Sequence, residues 1–488
     1  MALRAIKRSI KKILIANRGE VALRIMRTAM ELGISSVVVY EKPDSDAYFI
    51  RIADEAFLLG DGPRKDYLDI DKLIWAAKKT DADAIHPGYG FLSENADFAD
   101  ACQRAGIIFI GPPSKVIRNL GNKVKAREIM RSAGIPFIPG TYNLSAGEDG
   151  VREAMAFGEK HGYPIMLKAA AGGGGRGIRK VDNKEELAVQ LRRARVEAKN
   201  AFKDDSVYVE KCIENPRHVE VQILADRYGN IMHLGSRDCS IQRRHQKLME
   251  IAPADLPEDV LHAMYDAAVR AARAADYTNV GTVEFLVDPK TNEFWFMEVN
   301  TRLQVEHTVT EELTNVDIVR EQILIAEGAA LDVAGEKITI AGRAIQVRIN
   351  AEDPQNNFRP DGGKVVDFYL PPGGPGIRLD GIIYQGYRIP MEYDSLLVKM
   401  TVRGFDWEQT VARLRRALDL FVISGPQTTI PFYRAICREP DFRSGRFDTS
   451  YISTHPQVFN YPEPTEEVKR LKAFITTVHP VVFFPYVY

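Results

Sequence analysis

At 488 residues the chain is too long for one ordinary core, and length alone points to about three domains. Hydrophobic residues make up 45% and charged residues 27%, as in a globular protein, and the net charge of -1 removes any chain-wide electrostatic reason to bind nucleic acid or a membrane, so an anion site has to be local. Cys102, Cys212, Cys239 and Cys437 form neither a Cys-x-x-Cys pair nor a His/Cys cluster, which excludes a recognisable zinc site or disulfide framework and points to a reducing cytoplasm.

The first residues are basic, with no acid before Glu20, but Ile13 to Ala16 already reads as a buried strand, so the start is expected to be a polar lead-in and not a transit segment. No apolar run approaches the roughly 20 residues of a membrane span. A strand from Lys12 to Ala16 leads through a turn at Asn17-Arg18-Gly19 into helical spacing of Val21, Leu23, Ile25, Met26, Ala29 and Leu32, and Ser36 to Tyr40 is the next strand. This βαβ opening predicts a doubly wound parallel sheet, without the Gly-x-Gly-x-x-Gly turn of a nicotinamide site. Ala84-Ile85 runs into His86-Pro87-Gly88-Tyr89-Gly90-Phe91-Leu92-Ser93-Glu94-Asn95, a Gly-rich turn feeding a helix with Ser93 as the expected N-cap. Loops at the carboxyl ends of parallel strands are where open sheets hold ligands.

After Gly111-Pro112-Pro113 the texture changes, and Gly121 to Val124 opens an amphipathic helix ending near Gly134. The strand Ile165-Met166-Leu167-Lys168 precedes Gly172 to Gly175, Arg176 and Gly177, a run able to place several backbone N–H groups against phosphate oxygens. It is not a Walker A loop, because the lysine comes before the glycines. Val207 to Glu210 is another strand, whose continuation through Lys211 to Ile213 can offer backbone groups to an adenine ring. Arg237, Arg243, Arg244, His245 and Lys247 crowd one segment between strands, which predicts an anion site.

Gly281 to Val287 and Glu293 to Val299 read as a hairpin whose parity puts Glu284 on the face of Glu298 and Asn300. Two carboxylates and an amide oxygen are hard ligands suited to Mg²⁺. Trp295 to His307 reads as one extended strand, with Glu298, Asn300, Arg302, Gln304 and Glu306 along its polar face, fit to gather a metal and an anion. Beyond Gly342 the chain turns β-rich, and Arg348, a charge inside the apolar strand Ile345 to Asn350, needs an acid or a substrate anion as partner. The tail His479 to Tyr488 is apolar and aromatic, as for docking on a partner or on its own domain.

Taken together, Ile15 to Glu20, His86 to Asn95, Lys168 to Gly177, Arg237 to Lys247, Glu298 to His307 and Arg348 to Pro354 resemble the biotin carboxylase subunit or domain of biotin-dependent carboxylases, in the ATP-grasp superfamily. The resemblance implies an α/β chain. Its expected parts are an N-terminal doubly wound parallel-sheet domain (1–118), an ATP-grasp domain (119–330) with a mobile glycine-rich lid (about 140–208), a β-rich α+β C-terminal domain (331–458) and a tail (459–488). It implies that Lys123, Lys168, Gly174, Gly175, Glu210, Lys211, Ile213, His218, Gln242 and His245 surround ATP, with Glu284, Glu298 and Asn300 holding Mg²⁺ or Mn²⁺. Lys247, Arg302, Gln304, Val305 through its backbone, and Glu306 would bind bicarbonate, with Tyr89 and Arg348 near biotin.

The implied activity is that of an ATP-dependent ligase in which Glu306 deprotonates bicarbonate, carboxyphosphate forms, and biotin is carboxylated with Arg348 stabilising its anion. No Met-Lys-Met biotinylation segment and no carboxyltransferase follow, so the expected form is a cytoplasmic, homodimeric, stand-alone subunit. Its expected partners are a separate biotin carboxyl carrier protein and a carboxyltransferase subunit. Two other readings compete: another ATP-grasp ligase of the carbamoyl phosphate or carboxylate–amine type, and a silent nucleotide-binding scaffold. Gln304 to His307 with Arg348 to Asn350 argues against the first, and the intact Glu284, Glu298, Asn300 and Glu306 against the second.

Overall fold

The computed structural model describes residues 9–141, 143–170, 177–202, 204–244, 246–331, 338–371 and 373–461. Gly174 and Gly175 of the expected lid, His245, and the expected tail from residue 462 onward lie outside the described residues. Two compact units form, one within Met1–Ala133, Arg217–Glu284 and Glu298–Tyr488, the other within Gly134–Pro216 and Phe285–Met297.

The first unit opens with β1 (Lys12–Ile15), β2 (Ser35–Glu41), β3 (Glu55–Gly60), β4 (Ala84–His86) and β5 (Ile108–Phe109), in the order β3-β2-β1-β4-β5 and parallel throughout. Ile13, Leu14, Ile15, Val37, Val38 and Val39 are buried whichever face they point to, which is why these strands read as continuous apolar runs. The helix Gly19–Glu31 buries Val21, Ala22, Ile25, Met26 and Ala29. Strand order reverses between β1 and β4, and there the Asn17 amide donates to the carbonyls of Pro87 and Tyr89, both at 2.7 Å. Gly88 has φ +63°, and a Cβ on it would stand 2.9 Å from the Asn17 amide nitrogen, so the close approach requires glycine. The next helix starts later than expected, at Ala96, because Asn95 and not Ser93 caps it, accepting from the Phe98 N–H at 2.9 Å. The Ser93 N–H instead closes a turn onto the Gly90 carbonyl.

The second unit centres on β6 (Ile165–Ala169), β7 (Ile178–Val181) and β8 (Val207–Lys211), an antiparallel sheet in the order β7-β6-β8. Ile165, Leu167, Val207 and Val209 pack with Leu187 and Leu191 of the helix Lys184–Phe202.

Further along the chain come β9 (Arg217–Ala225), β10 (Ile231–Asp238), the short hairpin β11 (Gln242–Arg243) and β12 (Gln246–Lys247), β13 (Met249–Ala252), β14 (Asn279–Val287), β15 (Phe294–Asn300), β16 (Arg343–Asn350), β17 (Ile377–Gly381) and β18 (Leu396–Gly404), besides several two-residue strands. Eight of them build one sheet in the order β15-β14-β9-β10-β13-β16-β18-β17. The change of texture beyond Gly342 therefore does not end the sheet, since β16 pairs with β13 along Met249↔Val347 to Ala252↔Ala344.

Arg237, fully buried on β10, ties this sheet to the loop and helix beyond β15. Its guanidinium bonds Glu220 and, at 2.7, 3.1, 2.9 and 2.7 Å, Gln222, Thr282, Thr310 and Gln304. Arg237→Met would leave the Glu220 carboxylate buried with fewer partners, a change that costs about 3–5 kcal/mol. Chemical denaturation followed by circular dichroism should show a clear loss of stability, and an unchanged midpoint would refute this role.

Candidate active site

Strand β12 delivers Lys247 to the middle of three buried carboxylates. Its ammonium donates to Glu220 at 2.6 Å, Glu284 at 2.9 Å and Glu306 at 2.7 Å. Burial disfavours its charge, but the Cys239 thiol and the three carboxylates hold its pKa well above the ordinary lysine value. Glu306, 2% exposed, has its other oxygen 3.1 Å from the Arg348 guanidinium. Against burial, Lys247 first and then Arg348 and Arg237 hold the Glu306 carboxyl well below the usual range, so it is ionised. Arg348 also donates to Glu250 at 2.7 Å, the acid its position in an apolar strand required. Burial still raises the Glu250 carboxyl, with the charge of Glu306 adding to that effect.

Residues 301–306 are not a strand. Strand β15 stops at Asn300, and the helix His307–Thr314 starts immediately after Glu306. The ladder ends where the Thr301 N–H turns away to Glu94 at 3.1 Å. The polar side chains converge through this loop instead of along one face. Gln304 donates to Glu284 at 3.0 Å, and Arg302 reaches both Asn300 at 3.0 Å and Glu94 at 2.9 Å.

Glu284 and Asn300 meet as the hairpin parity predicted, the Asn300 amide donating to Glu284 at 2.9 Å. The other Glu284 oxygen lies 2.9 Å from the His218 ring. Lys247 and then His218 outweigh burial and keep the Glu284 carboxyl well below its usual range, while Glu284 in turn lifts the buried imidazole above its own. Glu298 reaches solvent, yet partial desolvation, then the negative charges of Glu284 and Glu94, raise its pKa. An excess of carboxylate is what a divalent cation relieves, and two carboxylates with an amide oxygen form a donor set that fits Mg²⁺. The tighter acidic groupings, His218 with Glu220 and Glu284 and Glu220 with Cys239 and Glu306, surround the Lys247 ammonium, which serves as their cation.

In the second unit, Lys168 donates to Glu210 at 2.5 Å and Lys211 stands 5.5 Å from the centre of the Trp295 ring. Half-buried Ile213 follows two residues later. In the first unit, Gln242 pairs with Lys247 in the β11–β12 hairpin, and Lys123 is the exposed first residue of the helix Lys123–Ser132, capped by Asn122. Tyr89 donates its hydroxyl to Glu20. The expected basic cluster is divided. Among the described residues, Arg237 is consumed inside the protein, Arg243 and Arg244 turn to Asn357 at 3.0 and 3.5 Å, and Lys247 stands at the site. Sequence reasoning missed Glu220, Glu250 and Glu94. Glu220 was visible only as the polar position of the alternating run His218 to Gln222, and Glu250 lies directly across from Gln346 on β16.

Family models match three successive stretches: "Biotin carboxylase, N-terminal domain" over residues 9–117, "Carbamoyl-phosphate synthase L chain, ATP binding domain" over residues 122–334, and "Biotin carboxylase C-terminal domain" over residues 346–454. Biotin carboxylase 1 of Bacillus subtilis (strain 168) is 48% identical over 448 residues, 91% of this chain and 99% of that protein. The pyruvate carboxylase of the same organism is 48% identical over 482 residues, 97% of this chain but 42% of its own length. A crystal structure of the biotin carboxylase domain dimer of Hydrogenobacter thermophilus 2-oxoglutarate carboxylase, in complex with MgADP, ADP and bicarbonate, is 46% identical and superposes with a TM-score of 0.84, covering 93% of this chain and 100% of that one. With three domain models in register and such relatives along nearly its whole length, the chain belongs to the biotin carboxylase family and has the ATP-grasp fold.

Proposed function

We propose that the chain carboxylates biotin on a separate carrier protein, using ATP and bicarbonate by way of carboxyphosphate. The observation that carries this reading is the ionised Glu306 carboxylate held between Lys247 and Arg348 beside Glu284 and Asn300. A base set between two cations is suited to a substrate that is itself an anion. Bicarbonate drawn to Lys247 and Arg348 takes over part of their hydrogen bonding, and Glu306, relieved of it, becomes basic enough to take the bicarbonate proton. The freed oxygen attacks the γ-phosphoryl group of ATP, giving carboxyphosphate and ADP.

Glu284, Glu298 and Asn300 are the residues we assign to Mg²⁺, which when bound would neutralise phosphate charge. Lys168, Glu210, Lys211, Ile213, His218 and Gln242 are assigned to the nucleotide, with Lys123 completing the set. Carboxyphosphate then yields CO₂ and phosphate, the phosphate takes the ureido N–H proton of biotin, and Arg348 stabilises the resulting anion, which attacks CO₂. Arg302, Gln304 and the Val305 backbone position bicarbonate, and Tyr89 lies on the biotin side. The carrier protein and a carboxyltransferase are the proposed partners, and the relative crystallised as a dimer supports a homodimer. Among the described residues no helix is long and apolar enough to cross a membrane, and with four free cysteines we place the protein in the cytoplasm.

Purified protein with free biotin and MgATP should release ADP only when bicarbonate is supplied. ADP release that needs ammonia and not biotin would instead identify a different ligase. Glu306→Gln should keep nucleotide affinity within about twofold by calorimetry while turnover falls by about 10²- to 10⁴-fold, the usual contribution of a positioned base. Unchanged turnover would remove Glu306 from that role. Lys247→Ala should raise the KM for bicarbonate several times more than the KM for MgATP, and equal increases would contradict its assignment to the anion.

A further inference from the structure

Lys399 is a fully buried cation in the middle of β18, and the proposed chemistry makes no use of it. In the antiparallel pairing of β16 with β18 it stands directly opposite Arg348, so the two side chains leave the sheet on the same face. Both reach the loop that carries the base. Arg348 meets the Glu306 carboxylate at 3.1 Å, and Lys399 donates to the carbonyl of the preceding residue, Val305, at 3.0 Å.

The other surroundings of the Lys399 ammonium also belong to the site. Its nitrogen is 3.1 Å from a Glu20 carboxylate oxygen and 5.8 Å from the centre of the Tyr89 ring, and Glu20 accepts the Tyr89 hydroxyl. Asp380, across from it on β17, is engaged instead by Arg378 at 2.8 Å and Arg27 at 2.9 Å. A buried ion pair is an expensive way to fill space, and apolar side chains of similar volume would hold the fold as well. What they would not supply is a donor to the Val305 carbonyl or an acceptor for Tyr89.

We propose that Lys399 and Glu20 form a positioning pair: Lys399 fixes the Val305 carbonyl and thereby the direction of the Glu306 carboxylate, while Glu20 fixes Tyr89, so that one buried contact aligns the base with the biotin side. The proposal rests on the reading of Glu306 as the base. Aiming errors of about 1 Å at a reacting group cost on the order of 10²-fold in rate, so the contact bears on turnover and not on nucleotide affinity.

The test compares wild-type protein with Lys399→Met, Lys399→Arg and the double variant Glu20→Leu/Lys399→Met, measuring kcat, the KM for MgATP and thermal midpoint. Lys399→Met should lose at least about tenfold in kcat with the KM for MgATP within about twofold, as expected of misaimed groups. Lys399→Arg, which keeps a donor, should recover part of the loss. The double variant removes the unpaired acid and should regain the midpoint without regaining kcat. Should Lys399→Met fail to fold, the kcat of the double variant decides.

An active wild type with unimpaired Lys399→Met would overturn the proposal. So would a double variant in which kcat returns together with the midpoint, since the pair would then serve the fold alone. A wild type without bicarbonate-dependent ADP release would count against the functional reading itself.

Discussion

Everything at the site depends on how charge is balanced around Lys247. Glu220, Glu284 and Glu306 all bond its ammonium, and Arg237 and Arg348 bind the flanking oxygens of Glu220 and Glu306. None of these acids could be buried ionised alone, because desolvation would drive them to take up protons. Each carboxylate therefore specifies where a cation must stand, and each cation is fixed by the strand that carries it. Lys247 comes from β12, Arg237 from β10 and Arg348 from β16, and β10, β13 and β16 are held in register by direct pairing. The long sheet, with the β11–β12 hairpin that joins β10 to β13, thus places charges that would repel or neutralise one another in any looser arrangement.

The same accounting explains which parts of the site the sequence reveals. Arg348 was legible because a guanidinium in an apolar strand cannot be left unpaired, and its partner is an acid, Glu250. Glu284 and Asn300 were legible because hairpin parity is local. Glu220 and Glu250 were not, since their meaning depends on pairings between strands far apart in sequence. The parallel N-terminal sheet was also readable, its buried apolar runs being the signature of strands covered on both faces.

Two local expectations failed. Alternating polarity from Glu298 to Glu306 mimics a strand, yet Glu94, more than 200 residues earlier, takes the Thr301 N–H and ends the ladder. Ser93 has the chemistry of an N-cap, yet Asn95, two residues on, caps the helix. In the first case a partner far away in sequence outcompeted the local pattern, and in the second a neighbouring residue with the same capping chemistry did. The loss matters for the site, because a strand would have spread Arg302, Gln304 and Glu306 along a line, whereas the loop brings them together beside Glu284.

That convergence bears on how strong a base Glu306 can be. With Lys247 and Arg348 on its two oxygens it is secure as a carboxylate but weak as a proton acceptor, since both contacts favour the ionised form. A permanent arrangement of this kind would be a poor catalyst. It becomes a useful one if the substrate competes for the same cations, because every hydrogen bond that bicarbonate takes from Lys247 or Arg348 raises the proton affinity of Glu306. Basicity then appears only with the substrate in place.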